Sequence, residues 1–154
     1  IKGQLAYTSA PLEQDSEITG YPVVTLFVKS THDDGNFFVY LEAIDEQSNV
    51  HYLTEGMLRA IHRKISTDTP PYKQFIPYHS FKRTDAMPLI PGEVAQLTFG
   101  LNPISAMIRR GWSLRVSISG ADKDTFKQIP ASGSPSVEIM IGGDQASFIE
   151  IPIK

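Results

Sequence analysis

The chain predicts an all-β fold, a β-sandwich of the jelly-roll kind. Apolar side chains alternate with a period of two through several short runs, turn signals separate those runs, and only one stretch carries a helical spacing. Seven or more strands with so little helix suit two packed sheets.

The runs Val23 to Val28 and Phe37 to Ile44 are β-branched and aromatic with less regular alternation, which suits central strands. Ala95, Leu97, Phe99 and Leu101 alternate with Gln96, Thr98 and Gly100. Leu114, Val116 and Ile118 alternate with Arg115, Ser117 and Ser119, while Val137, Ile139 and Ile141 form a further such run. Ile149, Ile151 and Ile153 repeat the pattern near the end of the chain. Each run places every second side chain on one face of a half-buried strand. Turn signals stand between them at Thr19-Gly20-Tyr21-Pro22, Asp33-Asp34-Gly35-Asn36, Gln47-Ser48-Asn49, Pro91-Gly92, Gly120-Ala121-Asp122 and Gly142-Gly143-Asp144.

One short helical turn is predicted over 103–108. Asn102 suits its N-cap, Pro103 its first position, Ile104, Met107 and Ile108 its apolar stripe, and Gly111 its end. Ile65 to Pro91 is predicted as a long loop. It holds Pro70, Pro71, Pro77, Pro88 and Pro91, five of the eleven prolines, together with Tyr72, Phe75, Tyr78 and Phe81. Proline fixes φ and removes a donor, and loops of this length in a compact domain are usually functional or interfacial.

With 154 residues and no internal repeat, the length suits one domain over 1–154. A chain of 17.1 kDa should expose roughly 7,800 Å² when folded. The absence of cysteine excludes disulfides and a Cys nucleophile, fits either redox compartment, and so leaves localisation unassigned. A net charge of -3 with a pI near 5.8 argues against nucleic acid as partner, and no apolar run is long enough for a membrane-spanning helix. Charge is segregated: residues 1–58 hold nine acids and two bases, residues 59–128 eleven bases and five acids. Pairing between these halves is the default expectation, with a steering patch as the alternative.

No catalytic residue is assigned. Ser132-Gly133-Ser134-Pro135-Ser136 lacks the glycine register of a G-x-S-x-G elbow, and there is no G-x-G-x-x-G, P-loop or H-E-x-x-H. His32, His51, His62 and His79 offer no metal-ligand spacing, and Asp33-Asp34-Gly35-Asn36 reads better as a turn than as a cation site. Neither metal nor cofactor is expected.

Leu5-Ala6-Tyr7-Thr8-Ser9-Ala10-Pro11-Leu12, followed by Asp15, Ile18, Thr19 and Gly20, opens a series of ordered blocks. Phe37-Phe38-Val39-Tyr40-Leu41, Gly56-Met57-Leu58-Arg59-Ala60 with Arg63, and Pro91-Gly92-Glu93-Val94 follow. Gly111 to Ser119 and Ile151-Pro152-Ile153 complete the series. Together the blocks resemble the C-terminal, galactose-binding-like jelly-roll domain of the X-prolyl dipeptidyl-peptidase and cocaine esterase family of serine hydrolases. Trp112 departs from the histidine common in relatives, and Asp122 to Ser136 matches no block.

The resemblance implies that the chain, which starts at Ile1, is a fragment of a longer protein. Its Ser, Asp and His would lie upstream in an α/β-hydrolase domain acting on esters or X-Pro peptides. This chain would be the non-catalytic accessory domain, packing on the catalytic domain of the same polypeptide, shaping the substrate entrance and aiding homo-oligomerisation. Tyr72, Phe75, Tyr78, His79 and Phe81, with Arg59 and Arg63, are the contact candidates. Two readings of the loop stay open: docking on a neighbour, or folding back to cap its own sandwich. A carbohydrate-binding module is the alternative function, with Trp112, Tyr40 and Tyr52 as its ligand platform.

Overall fold

The computed structural model describes residues 4–121 and 126–154. Asp122 of the Gly120-Ala121-Asp122 turn signal, and with it the first part of the unmatched stretch, falls within 122–125, outside the described residues.

Among the described residues ten strands make the body: β1 Leu5–Thr8, β2 Ser16–Gly20, β3 Val23–Ser30, β4 Asn36–Ile44 and β5 Val50–Arg59, then β6 Val94–Gly100, β7 Ile104–Ile108, β8 Ser113–Ser119, β9 Val137–Ile139 and β10 Phe148–Glu150. One sheet runs β1-β8-β4-β5, and all its pairs are antiparallel. The second has β3 at its centre, with β6 on one side and β9 and β10 in succession on the other.

The β3–β6 ladder ends at Val23 opposite Gly100. The paired chains then bend, Leu101 N–H donates to Pro22 O over 2.8 Å at the corner, and pairing resumes as β2–β7 from Gly20 opposite Ile104. The C-terminal residues follow β2 on its other side, with Ile153 bridged to Ile18.

The alternation read from the sequence sets the core. Val24, Leu26 and Val28 of β3 and Leu97 and Phe99 of β6 meet Phe37, Val39, Leu41, Leu58 and Ile118 from the other sheet. Each such side chain contributes about 1.5–3 kcal/mol when fully buried. A smaller cluster of Ile18, Ala43 and Ile108 fills the corner.

The helix expected at 103–108 is a strand instead. Ile104, Ala106 and Ile108 face inward while Ser105 and Met107 are exposed, a period of two that Ile104 and Ile108 also allow and that leaves Met107 outside. Pairing with β2 decides it, because five backbone positions find sheet partners that a single helical turn would lack. Asn102, expected as a cap, instead joins the two sheets: its N–H donates to Glu55 O and its carbonyl accepts from Thr54 Oγ1.

Candidate interdomain surface

The 65–91 segment is irregular apart from a single 3₁₀ turn over Arg83–Asp85, and it is fastened at many points. Ser66 N–H donates to Tyr78 O, Met87 N–H to Ile61 O, and Leu89 N–H to Asp33 O. Leu89 enters the main core. Buried His79 lies between the backbone after β5 and strand β6, with Nδ1 3.1 Å from Lys64 O and Nε2 3.0 Å from Thr98 O. Because β6 is an edge strand, this contact also occupies a carbonyl that would otherwise be open to pairing. Ile76 packs where Gly100 lacks a side chain, since a β-carbon there would lie 2.5 Å from Ile76 Cγ2. Asp85 accepts from Lys64 and Ser80, and the lysine's hydrogen bond is the main cause holding its carboxyl below the ordinary range.

This anchoring divides the predicted contact residues. His79 faces the body and Tyr78 is half-buried beside it. Tyr72, Phe75 and Phe81 point outward, each exposed by more than 60%. They are spread along the segment. Phe75 is near Tyr21 at 6.0 Å between ring centroids, Tyr72 meets Tyr78 edge-on at 6.5 Å, and Phe81 meets His62 edge-on at 5.0 Å. Phe81 holds a left-handed φ of 54°, a conformation that costs a non-glycine residue on the order of 1 kcal/mol and needs surrounding structure to fix it.

Arg59 ends β5 and donates through Nε to Asp34 Oδ2 at 2.7 Å. The other oxygen of Asp34 accepts from the Gly35 and Ile61 amides, so this carboxylate works as the anchor of a turn. Arg63 donates to Pro88 O, its Nε has no hydrogen-bond partner, and burial pushes its guanidinium pKa down.

Arg59–Asp34, Arg109–Asp15 and Arg115–Glu42 each join the basic part of the chain to the acidic part. At Glu42 burial raises the carboxyl pKa, but hydrogen bonds from Arg115 and Ser117 and the guanidinium charge outweigh it, and the net shift is downward.

Trp112, Tyr40 and Tyr52 are not brought together. Trp112 stacks on His51 at 4.7 Å and packs against the corner cluster around Ala43, whereas Tyr40 and Tyr52 stand on the outer face of the β4–β5 ladder with Glu55 and Glu42 opposite them. Among the described residues no group of three or more His, Asp or Glu could hold a metal ion.

Two features escaped the sequence: the tight meeting of Gly56 with β6, and an apolar cleft of about 260 Å³ between the sheets on the β1 side. The exposed apolar residues of LAYT and SFIE were the only sequence signal for the cleft.

Residues 2–147 match the family described as the X-Pro dipeptidyl-peptidase C-terminal non-catalytic domain. The chain belongs to that family. Over 149 residues it is 49% identical to the "Putative serine esterase Mb1866c" of Mycobacterium bovis, covering 97% of this chain and 24% of that protein. The chain therefore spans about a quarter of the length of the curated relatives it matches. A CocE/NonD family hydrolase from Staphylococcus aureus superposes with a TM-score of 0.80 at 20% identity, covering 98% of this chain and 30% of that one. An α-amino acid ester hydrolase gives 0.78 at 14% identity, with 98% and 25% covered. These two likenesses establish the shared fold. As a member of this family, the chain is an X-Pro dipeptidyl-peptidase C-terminal non-catalytic domain.

Proposed function

We propose that this domain serves a serine hydrolase acting on esters or X-Pro peptides, whose nucleophile lies upstream of Ile1 in the same polypeptide. In this reading the 65–91 arm is a rigid contact surface that packs on the catalytic domain, borders the substrate entrance and contributes to self-association. The observation that carries it is the division of the arm. His79, Ile76 and Leu89 fix the backbone, while Tyr72, Phe75 and Phe81 are left facing solvent. Aromatic rings held on an ordered backbone bury large area with little further loss of entropy on docking. The relatives' length supports a neighbour in the same chain, and the name of the curated relative supports ester chemistry.

The test uses the full-length protein with serine at positions 72, 75 and 81. The expected result is a changed KM for a bulky ester, or a changed oligomeric state, with the melting of the β-sandwich unaltered. Unchanged kinetics together with an unchanged oligomeric state would remove the proposed role of the arm.

A further inference from the structure

The two sides of the sandwich are unlike. On the β5–β6 side the sheets are joined by Thr54 Oγ1 donating to Asn102 O and Asn102 N–H donating to Glu55 O, both at 2.8 Å. On the other side they stand apart. There Tyr7, Val116 and Ile118 of one sheet face Ile139 and Ile149 of the other, with Ile141 and Phe148 at the rim, across the 260 Å³ cleft. No residue lining it is charged, and its floor is core residues Val24 and Leu26.

Its two rims are edge strands: among the described residues β1 pairs only with β8, and β9 and β10 only with β3. All four residues of β1 are exposed, with Leu5 at 43% and Tyr7 at 39%. Open edges beside exposed apolar side chains are what folded proteins usually cover.

We infer that a segment of the polypeptide preceding Ile1 closes this side in the full-length protein, added as a strand along β1 with apolar side chains in the cleft. This rests on the reading above, in which a longer protein precedes the module. The family is a C-terminal domain and the chain covers 24% of its curated relatives, so in them most of the polypeptide lies before this module. β1 is the first described strand, so the chain leading into it arrives beside the cleft. The occupant must be apolar and extended. Strand addition would give it backbone hydrogen bonds from the edge and pockets for alternate side chains.

The test places the photo-crosslinker benzoylphenylalanine at position 7, where Tyr7 faces the cleft, in the full-length protein and maps the captured peptide. Capture within one chain, on a peptide N-terminal to Ile1, is expected. A cross-link between two copies, or one confined to residues 1–154, overturns the inference. Amide exchange of the unmodified full-length protein gives a second reading that needs no variant. With a strand on both sides, all amides of β1 exchange slowly, whereas an open edge leaves about half of them fast. A serine-directed phosphonate run in parallel separates the two ideas. An adduct upstream of Ile1 with an open β1 edge refutes only the added strand, and an adduct within this chain refutes the parent reading itself.

Discussion

Gly56 and Gly100 meet across the two sheets with no room for a side chain: a β-carbon on Gly56 would lie 2.7 Å from Gly100 O and 2.9 Å from Leu101 Cα. The obstacle is backbone, which cannot rotate away. Gly56→Ala should therefore force β5 from β6 and destabilise the domain by about 1–3 kcal/mol. At roughly 2–4 °C per kcal/mol, thermal melting would detect it. A variant melting with the parent would show that the sheets do not close at this point.

His79 should hold the arm. His79→Ala leaves Lys64 O and Thr98 O without the imidazole, at a cost of about 1–3 kcal/mol for buried groups left unpaired. Limited proteolysis should then cut between residues 65 and 91 well before the β-sandwich unfolds. Equal resistance in the two proteins would mean that the prolines and Leu89 suffice.

Glu42 and Arg115 form a half-buried pair on β4 and β8, at 2.8 Å. Arg115→Leu strands the carboxylate and should cost about 1–3 kcal/mol, whereas the double variant Arg115→Leu with Glu42→Leu should recover much of that. Urea denaturation of the single and double variants measures the coupling. Additive losses would show that the two side chains act independently.

Asp45 organises the β4–β5 turn, accepting from His51 Nε2, the Asn49 side chain and the Gln47 and Asn49 amides. The His51 hydrogen bond leads in pulling its pKa from 3.8 to about 2. A lowered carboxyl pKa adds stability above the unfolded value and loses it as the pH falls through the folded one. The turn should therefore stay ordered at pH 4 and loosen between pH 3.8 and about 2. Carboxyl-detected NMR of Asp45 would follow it, and a midpoint near 3.8 would contradict the hydrogen-bond set.

The central ladders were legible because Leu97 and Phe99, or Val116 and Ile118, alternate with polar neighbours on strands that have one face in the core. β7 was not, since Ile104 and Ile108 satisfy both periods, Met107 fits only the helical one, and its partner β2 begins with the polar Ser16 and Glu17. β5 was obscured by a register shift opposite Leu41 and Glu42 and by its exposed first residues.

The prolines marked the arm, yet which aromatic faced inward depended on contacts with residues far along the chain, such as Thr98 and Gly100. The cleft was hidden for a related reason. Whether an apolar strand residue is covered depends on which strands stand on either side of it.

The most direct measurement is covalent labelling of the full-length protein by a fluorophosphonate, with ester hydrolysis followed in parallel and the modified peptide identified by mass spectrometry. The expected adduct is on one serine upstream of Ile1, with loss of activity in proportion to labelling. An activity-linked adduct on Ser9, Ser105, Ser117 or any other serine of these 154 residues would contradict a support module without a nucleophile.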